Sequence, residues 1–118
     1  MDTIMYDFFN SDYADDFEAL VDVHNFFDWV PEGKFDIWMK AYDTSCRETA
    51  REIELNDNGY KFDCYVWVCD LYGFQITTDI QPRAARTREE AEEILIKMAD
   101  SLVKSRYVID TLKQLIEQ

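Results

Sequence analysis

The chain has 118 residues, 47% of them apolar, and a formal net charge of −13. This length and apolar content predict a single domain over residues 1–118, and the chain has only three Gly and two Pro from which to build a linker. Direct binding to nucleic acid or to an anionic membrane is disfavoured, because these partners are negatively charged as well.

The cysteines and the N-terminus indicate a soluble, cytoplasmic protein. Cys46, Cys64 and Cys69 are odd in number and lack the CxxC spacing of a zinc site. Asp2 and Asp7 stand where a signal peptide needs positive charge, and no apolar run approaches the roughly 20 residues of a membrane span. We therefore expect reduced thiols and no membrane association.

Acidic residues are concentrated near the N-terminus. Residues 1–33 contain nine acids, neither Lys nor Arg, and eight aromatic residues, so this segment carries −9 while residues 34–86 and 87–118 carry −2 each. Acidic tails that stay disordered are poor in aromatic residues. The segment should therefore fold and hold its carboxylates in fixed positions.

Apolar residues between Ser11 and about Val30 recur at spacings of three and four, which predicts an N-terminal amphipathic helix. Ser11 or Asp12 is suited to cap this helix, and Pro31 and Gly33 would end it. The apolar stripe consists of Tyr13, Phe17, Leu20, Val21, His24 and Phe27.

The middle of the chain predicts an antiparallel meander of three or four strands. Residues 35–42 alternate between two faces, as a strand does. A second strand is expected near Ala50 to Leu55, and a turn at Asn56 to Gly59 would join it in a hairpin to a long strand from Tyr60 to Cys69. Phe74 to Ile80 complete the meander.

The C-terminal third predicts one or two helices. Thr87 and Glu90 form a capping box, and a break near Lys104 to Arg106 divides the helical pattern into two, which we favour over one continuous helix. The expected core positions are Ala91, Ile94, Leu95, Met98, Leu102, Val108, Ile109, Leu112, Leu115 and Ile116. The fold class is therefore α+β, with an N-terminal helix, a three- to four-stranded antiparallel meander and helices on one face of the sheet.

Both faces of the predicted sheet are apolar. One face carries Trp38, Tyr42, Tyr65 and Trp67, and the opposite face carries Ile37, Met39, Val66 and Val68. Two arrangements remain open: the helices cover one face and leave the aromatic one available for a partner or for self-association, or they cover both.

The predicted N-terminal helix would present a ridge of carboxylates opposite its apolar stripe. Like charges at spacings of three and four repel by about 0.2–0.5 kcal/mol per pair, so the ridge is either kept for binding or is a solvated face of an acidic protein. The candidate partner-binding residues are Asp12, Asp15, Asp16, Glu18, Asp22, Asp28 and Glu32.

The chain is small, carries an all-acidic segment from Asp12 to Glu32, and follows a helix–meander–helix plan with a turn at Asn56 to Gly59. In these features it resembles, at the level of class, the small acidic anti-defence proteins of phages and mobile elements. These anti-CRISPR and antirestriction proteins act as nucleic-acid mimics. The resemblance implies that carboxylates occupy the basic groove of a host nuclease or nucleoprotein complex, and it transfers no residue from a known interface.

The first hypothesis is thus a non-enzymatic inhibitor of a basic nucleic-acid-binding protein, without a cofactor. The second is a bacterial immunity protein or antitoxin that neutralises a basic toxin. The third is a metal-dependent enzyme using clustered carboxylates, although no ligand spacing matches a known metal site. Nucleophilic catalysis has little support, because His24 is the only histidine and the serines lack an elbow motif.

Overall fold

The computed structural model describes residues 4–118, so Asp2, counted above among the acids, lies outside the described residues. Within that range the chain forms one six-stranded antiparallel sheet and three α-helices, which confirms the α+β class; the predicted meander of three or four strands is wrong in its strand number. In chain order the elements are β1 (Phe9–Asn10), β2 (Phe17–Asp22), β3 (Asp36–Asp43), α1 (Ala50–Asp57), β4 (Phe62–Cys69), β5 (Gln75–Thr77), β6 (Arg83–Ala85), α2 (Arg88–Lys104) and α3 (Arg106–Ile116).

Three long strands form the middle of the sheet. The strand order is β1-β2-β3-β4-β5, and β6 pairs with the first residues of β4. β2 pairs with β3 from Phe17 opposite Ala41 to Asp22 opposite Asp36, and β3 pairs with β4 along its whole length. β3 therefore has a paired strand on each side and sets the register of both neighbours.

The predicted N-terminal helix is wrong: its residues form a turn, the strand β2, and a short 3-10 turn at Val23–Asn25. Two periodicities coexist in this segment, because Phe17 and Val21 fit the helical stripe and also alternate with Ala19 in the manner of a strand. Pairing with β3 over six residues decides between them, and it buries all three of these side chains. Tertiary pairing here overrides local pattern.

The predicted strand near Ala50 to Leu55 and its hairpin are also wrong, because residues 50–57 form α1. The side chain of Thr49 accepts a hydrogen bond from the backbone N–H of Glu52, and the Thr49 hydroxyl donates to the Glu52 carboxylate. Thr49 and Glu52 thus occupy the two positions of a capping box, the pattern that Thr87 and Glu90 also show, with the Glu52 carboxylate bound to the Thr49 hydroxyl. Gly59, with φ of +82°, then turns the chain into β4.

The two C-terminal helices and the break between them are confirmed, but three of the predicted core positions are only partly buried: Ile109, Leu115 and Ile116. The backbone N–H of Glu90 donates to the Thr87 hydroxyl at the start of α2, and Ser105 separates α2 from α3 and caps α3. The buried positions of the two helices are Ala91, Ile94, Leu95, Met98, Ala99, Leu102, Val108 and Leu112. α2 contacts β3, β4 and β6, so the C-terminal helices cover one face of the sheet.

The covered face forms the core. Its buried side chains alternate along each long strand, as the pleat of a sheet requires. They include Phe17, Ala19, Val21, Ile37, Met39, Ala41, Phe62, Cys64, Val66 and Val68. The predicted N-terminal helix that would have covered the opposite face is replaced by β2. The aromatic side chains of that face are half-buried, so it is neither fully covered nor fully exposed: Trp38, Tyr42, Tyr65 and Trp67.

Candidate protein-binding surface

The face of the sheet opposite α2 is here called the open face. Strand register places its side chains in rows that cross β2, β3 and β4. The rows are Asp22–Asp36–Cys69, Leu20–Trp38–Trp67, Glu18–Lys40–Tyr65 and, beyond the end of β2, Tyr42–Asp63. Polar and apolar rows therefore lie side by side on one surface.

One half of the open face is occupied by internal ion pairs. Asp16 is fully buried, and its carboxylate accepts hydrogen bonds from the Asp43 backbone N–H at 2.7 Å and from the Arg47 guanidinium at 2.6 and 3.1 Å. The Arg47 guanidinium also lies 4.4 Å from the centre of the Tyr42 ring. Lys40 binds Glu18 at 3.1 Å. These carboxylates are neutralised within the protein.

Asp63 organises the edge of the same half. Its buried carboxylate accepts two hydrogen bonds from Arg51, at 2.8 and 2.9 Å, and one from the Tyr65 hydroxyl at 2.8 Å. Burial, together with the hydrogen bond to Asp63, raises the pKa of Tyr65 to about 12. The phenol is therefore a fixed neutral donor at pH 7 and has a structural role.

The other half of the open face is apolar and only partly covered. Leu20, Trp38 and Trp67 form one row, with the two indole rings 5.3 Å apart, and Leu20 is 43% exposed. The Trp38 Nε1 atom is buried and has no hydrogen-bond partner within residues 4–118. Aromatic residues of this kind are enriched at the centres of protein–protein interfaces.

The seven predicted partner-binding acids do not form a ridge. Asp12 and Asp15 lie in the turn before β2, and Asp15 binds Lys61 at 2.9 Å. Asp16 and Glu18 are held in the ion pairs described above. A strand of six residues spans about 20 Å, so the acids before β2 are separated from those after it.

The remaining three predicted acids lie at the C-terminal end of β2 and in the loop that follows it. Asp22 is half-buried and accepts hydrogen bonds from the backbone N–H groups of His24 and Gly33, at 2.9 and 2.8 Å. Asp28 and Glu32 are exposed in the loop between β2 and β3. The geometry thus distributes the predicted residues over two ends of one strand, with ion pairs between them.

A different group of carboxylates comes together after β2. Asp22 lies directly opposite Asp36, and Glu32 and Asp70 line one groove of about 480 Å³ together with Lys34. We call Asp22, Glu32, Asp36 and Asp70 the acidic end. Within residues 4–118 none of these four side chains forms a salt bridge.

The acidic end carries more negative than positive charge, since Lys34 is the basic residue that lines its groove. Burial, and then the negative charge of Asp22, raise the pKa of the Asp36 carboxyl above its ordinary value of 3.8. Cys69, in the same row, has its pKa raised to about 11 by burial and by the charges of Asp36 and Asp70. The fold therefore holds the Asp36 carboxylate in a partly buried position close to the negative charge of Asp22, which its own charge disfavours.

Asp36 and Asp70 were not among the predicted site residues. Asp36 occupies a strand position whose side chain alternates onto the Trp38 face, and that pattern was readable in the sequence. The sequence did not indicate that Asp36 lies beside Asp22, because this placement depends on the pairing of β2 with β3. The residues of β2 had been predicted to form a helix. Asp70 precedes Gly73 in a short turn between strands, which the sequence marks only as a reversal.

Among residues 4–118, no three His, Cys, Asp or Glu side chains come together as a group that could hold a metal ion. None of the helices in that part of the chain is long and apolar enough to cross a membrane. Comparison with known proteins finds no matching family model, no matching curated protein and no matching solved structure.

Asp16→Ala should lower the free energy of unfolding by about 3 kcal/mol, because it leaves Arg47 and the Asp43 backbone N–H without their acceptor. Asp12→Ala, at an exposed turn position, should change it by less than about 0.5 kcal/mol. Urea unfolding followed by circular dichroism measures both. Equal effects of the two substitutions would show that Asp16 is not the buried acceptor described here.

Asp36→Asn should stabilise the fold at pH 7 by about 0.5 kcal/mol, since it removes a like-charge pair across two strands. A carboxyl whose pKa is raised on folding opposes folding once it is ionised, so the gain should disappear as the pH falls below 3.8. Unfolding curves at pH 7 and pH 3 test this. Asp110→Asn, on exposed α3, is the control; loss of stability in Asp36→Asn at pH 7 would contradict the account.

Proposed function

We propose that this chain is a non-enzymatic inhibitor that binds a basic nucleic-acid-binding protein, such as a CRISPR effector or a restriction nuclease, through the acidic end. The observation that carries the proposal is the gathering of Asp22, Glu32, Asp36 and Asp70 without a salt bridge among the described residues. Asp22 and Asp70 accept hydrogen bonds from backbone N–H groups, but no basic side chain among residues 4–118 forms a salt bridge with any of the four. Their negative charge can therefore interact with an external cation.

The charge of the whole chain supports the same class of partner. Asp and Glu number 25 against 12 Lys and Arg, and within residues 4–118 six of those bases form internal salt bridges. The field around the molecule is therefore strongly negative, which accelerates encounter with a basic surface and disfavours nucleic acid.

The mechanism differs from the ridge predicted from the sequence. A continuous row of carboxylates along a helix would follow the phosphates of a duplex, whereas the acidic end is a compact cluster beside an aromatic row. Such a cluster can occupy part of a Lys- and Arg-lined groove and exclude DNA from it by occupancy. Inhibition then depends on overlap of the two binding sites, with no chemical step.

The small extent of the acidic end also favours a second candidate, a bacterial immunity protein or antitoxin for a basic toxin. A small acidic cluster fits a single basic protein as well as it fits part of a long groove. The two candidates differ in their relation to nucleic acid. A groove-occupying inhibitor and duplex DNA exclude each other, whereas an immunity protein bound outside the active site leaves the DNA contact in place.

The test is DNA competition against purified CRISPR effector complexes and restriction nucleases, measured by fluorescence anisotropy of a labelled duplex. The chain should displace the duplex from its target, and displacement should weaken steeply as salt rises from about 50 to 200 mM. A stable complex that still binds the duplex would favour the immunity-protein candidate. Failure to bind any basic protein at low salt would contradict the proposal.

A matched pair of variants locates the effect. Glu32→Gln with Asp36→Asn should weaken target binding by about fivefold, since two charge pairs at about 0.5 kcal/mol each contribute about 1 kcal/mol in total. Glu93→Gln with Asp110→Asn removes the same charge from exposed positions of α2 and α3 and should change binding by less than about twofold. Equal losses in both would assign the binding to net charge and not to the acidic end.

A further inference from the structure

A turn beside the acidic end exposes three large apolar side chains. Leu71, Tyr72 and Phe74 follow β4 and are 66%, 86% and 70% exposed. Exposed apolar residues scattered singly are ordinary, but three within four positions form a contiguous patch of the kind that marks an interaction site.

The turn is held rigidly by its first residue. The Asp70 side chain accepts hydrogen bonds from the backbone N–H groups of Tyr72 and Phe74, at 2.9 and 3.0 Å. The Asp70 backbone N–H donates to the Phe74 carbonyl and its carbonyl accepts from Gly73. The three side chains are therefore displayed on a fixed backbone, which reduces the entropy lost when they are immobilised in a complex.

Gly73 joins the turn to the open face. Its φ of +84° is one that side-chain-bearing residues rarely adopt, and a Cβ built on it would lie 3.3 Å from the Trp38 ring. The backbone of the turn thus packs on Trp38, next to Leu20 and Trp67. The turn and the apolar row of the open face form one continuous surface, here called the aromatic patch: Leu20, Trp38, Trp67, Leu71, Tyr72 and Phe74.

Carboxylates border this patch. Leu71 and Tyr72 line the same groove as Glu32 and Asp70, and the row Asp22–Asp36 lies next to the row Leu20–Trp38. Lys34 lies in the same groove, and Lys40, in the row on the other side of Trp38, is paired with Glu18, so the charge around the patch is mainly negative. Apolar contacts in such surroundings fit a partner whose apolar anchor is flanked by positive charge. The occupant indicated by this complementarity is basic.

A second copy of the chain fits the patch poorly. Each copy carries a net charge of −13, and a symmetric dimer through this surface would bring two acidic ends together. Like charges facing each other at an interface oppose association.

We propose that the aromatic patch is the apolar anchor site for the basic partner, and that it receives a large apolar side chain flanked by Lys or Arg. The inference rests on the proposed function, because it takes the basic partner from there and adds the specific contact. Electrostatic attraction then brings the partner to the acidic end, and burial of apolar side chains in the aromatic patch sets how long it stays.

Three short synthetic peptides test the site: one with Leu and Phe flanked by Lys and Arg, one with the apolar residues replaced by Ser, and one with the bases replaced by Glu. The Trp29→Phe protein serves as the reference, because its tryptophan fluorescence then comes from Trp38 and Trp67 alone. The basic–apolar peptide should bind at least about tenfold more tightly than either of the others.

Tyr72→Ser with Phe74→Ser should lower the affinity for the basic–apolar peptide by about tenfold and leave the weak binding of the basic–Ser peptide unchanged. Both positions are exposed, so the fold should be retained, which circular dichroism checks. Tyr107→Ser, at a 61% exposed position on α3, is the matched control and should leave all affinities unchanged.

Three other outcomes of these binding experiments would lead to different conclusions. Equal binding of the two basic peptides, insensitive to the Tyr72 and Phe74 substitutions, would overturn the anchor site and leave the acidic end as the binding surface. Absence of binding by either basic peptide at low salt would contradict the proposed basic partner itself. Sedimentation showing a dimer that Tyr72→Ser with Phe74→Ser dissociates would assign the patch to self-association.

Discussion

The pairing of β3 with β2 on one side and β4 on the other is the constraint from which the surface chemistry follows. Side chains of a strand alternate between two faces, so a shift of one residue in register would exchange the core and the open face. The observed register places Trp38 between Leu20 and Trp67 and places Asp36 opposite Asp22. A core of apolar side chains on one face and a mixed aromatic and acidic surface on the other are two results of the same pairing.

The same register divides the acids into two groups with different roles. Asp16 and Asp63 are buried and satisfied by arginine, so their charge holds segments of the fold together. Asp22 and Asp36 face each other and, among residues 4–118, neither forms a salt bridge; this local repulsion is tolerated by a fold stabilised elsewhere. Strain of this kind is typical of surfaces kept for binding. Net charge alone does not distinguish the groups.

The sequence predicted the C-terminal helices, the strands β3 and β4 and the α+β class, because capping residues and strong alternation are local signals. It failed at β2, where Phe17, Leu20 and Val21 satisfy a helical spacing while Phe17, Ala19 and Val21 satisfy a strand spacing. Only the partner strand decides between them. This error also made the predicted binding site wrong in its geometry, since the acidic ridge required a helix. It also failed at α1, although the pair Thr49 and Glu52 was a readable capping signal.

The register of β2 against β3 is the claim on which the open face, the acidic end and the aromatic patch all depend, and proton NMR measures it directly. Cross-strand nuclear Overhauser effects should join Leu20 to Trp38 and Trp38 to Trp67, together with strongly slowed amide exchange in β2. Sequential contacts from each residue to the third following one across residues 12–28, as in a helix, with no effect between Leu20 and Trp38, would contradict the account.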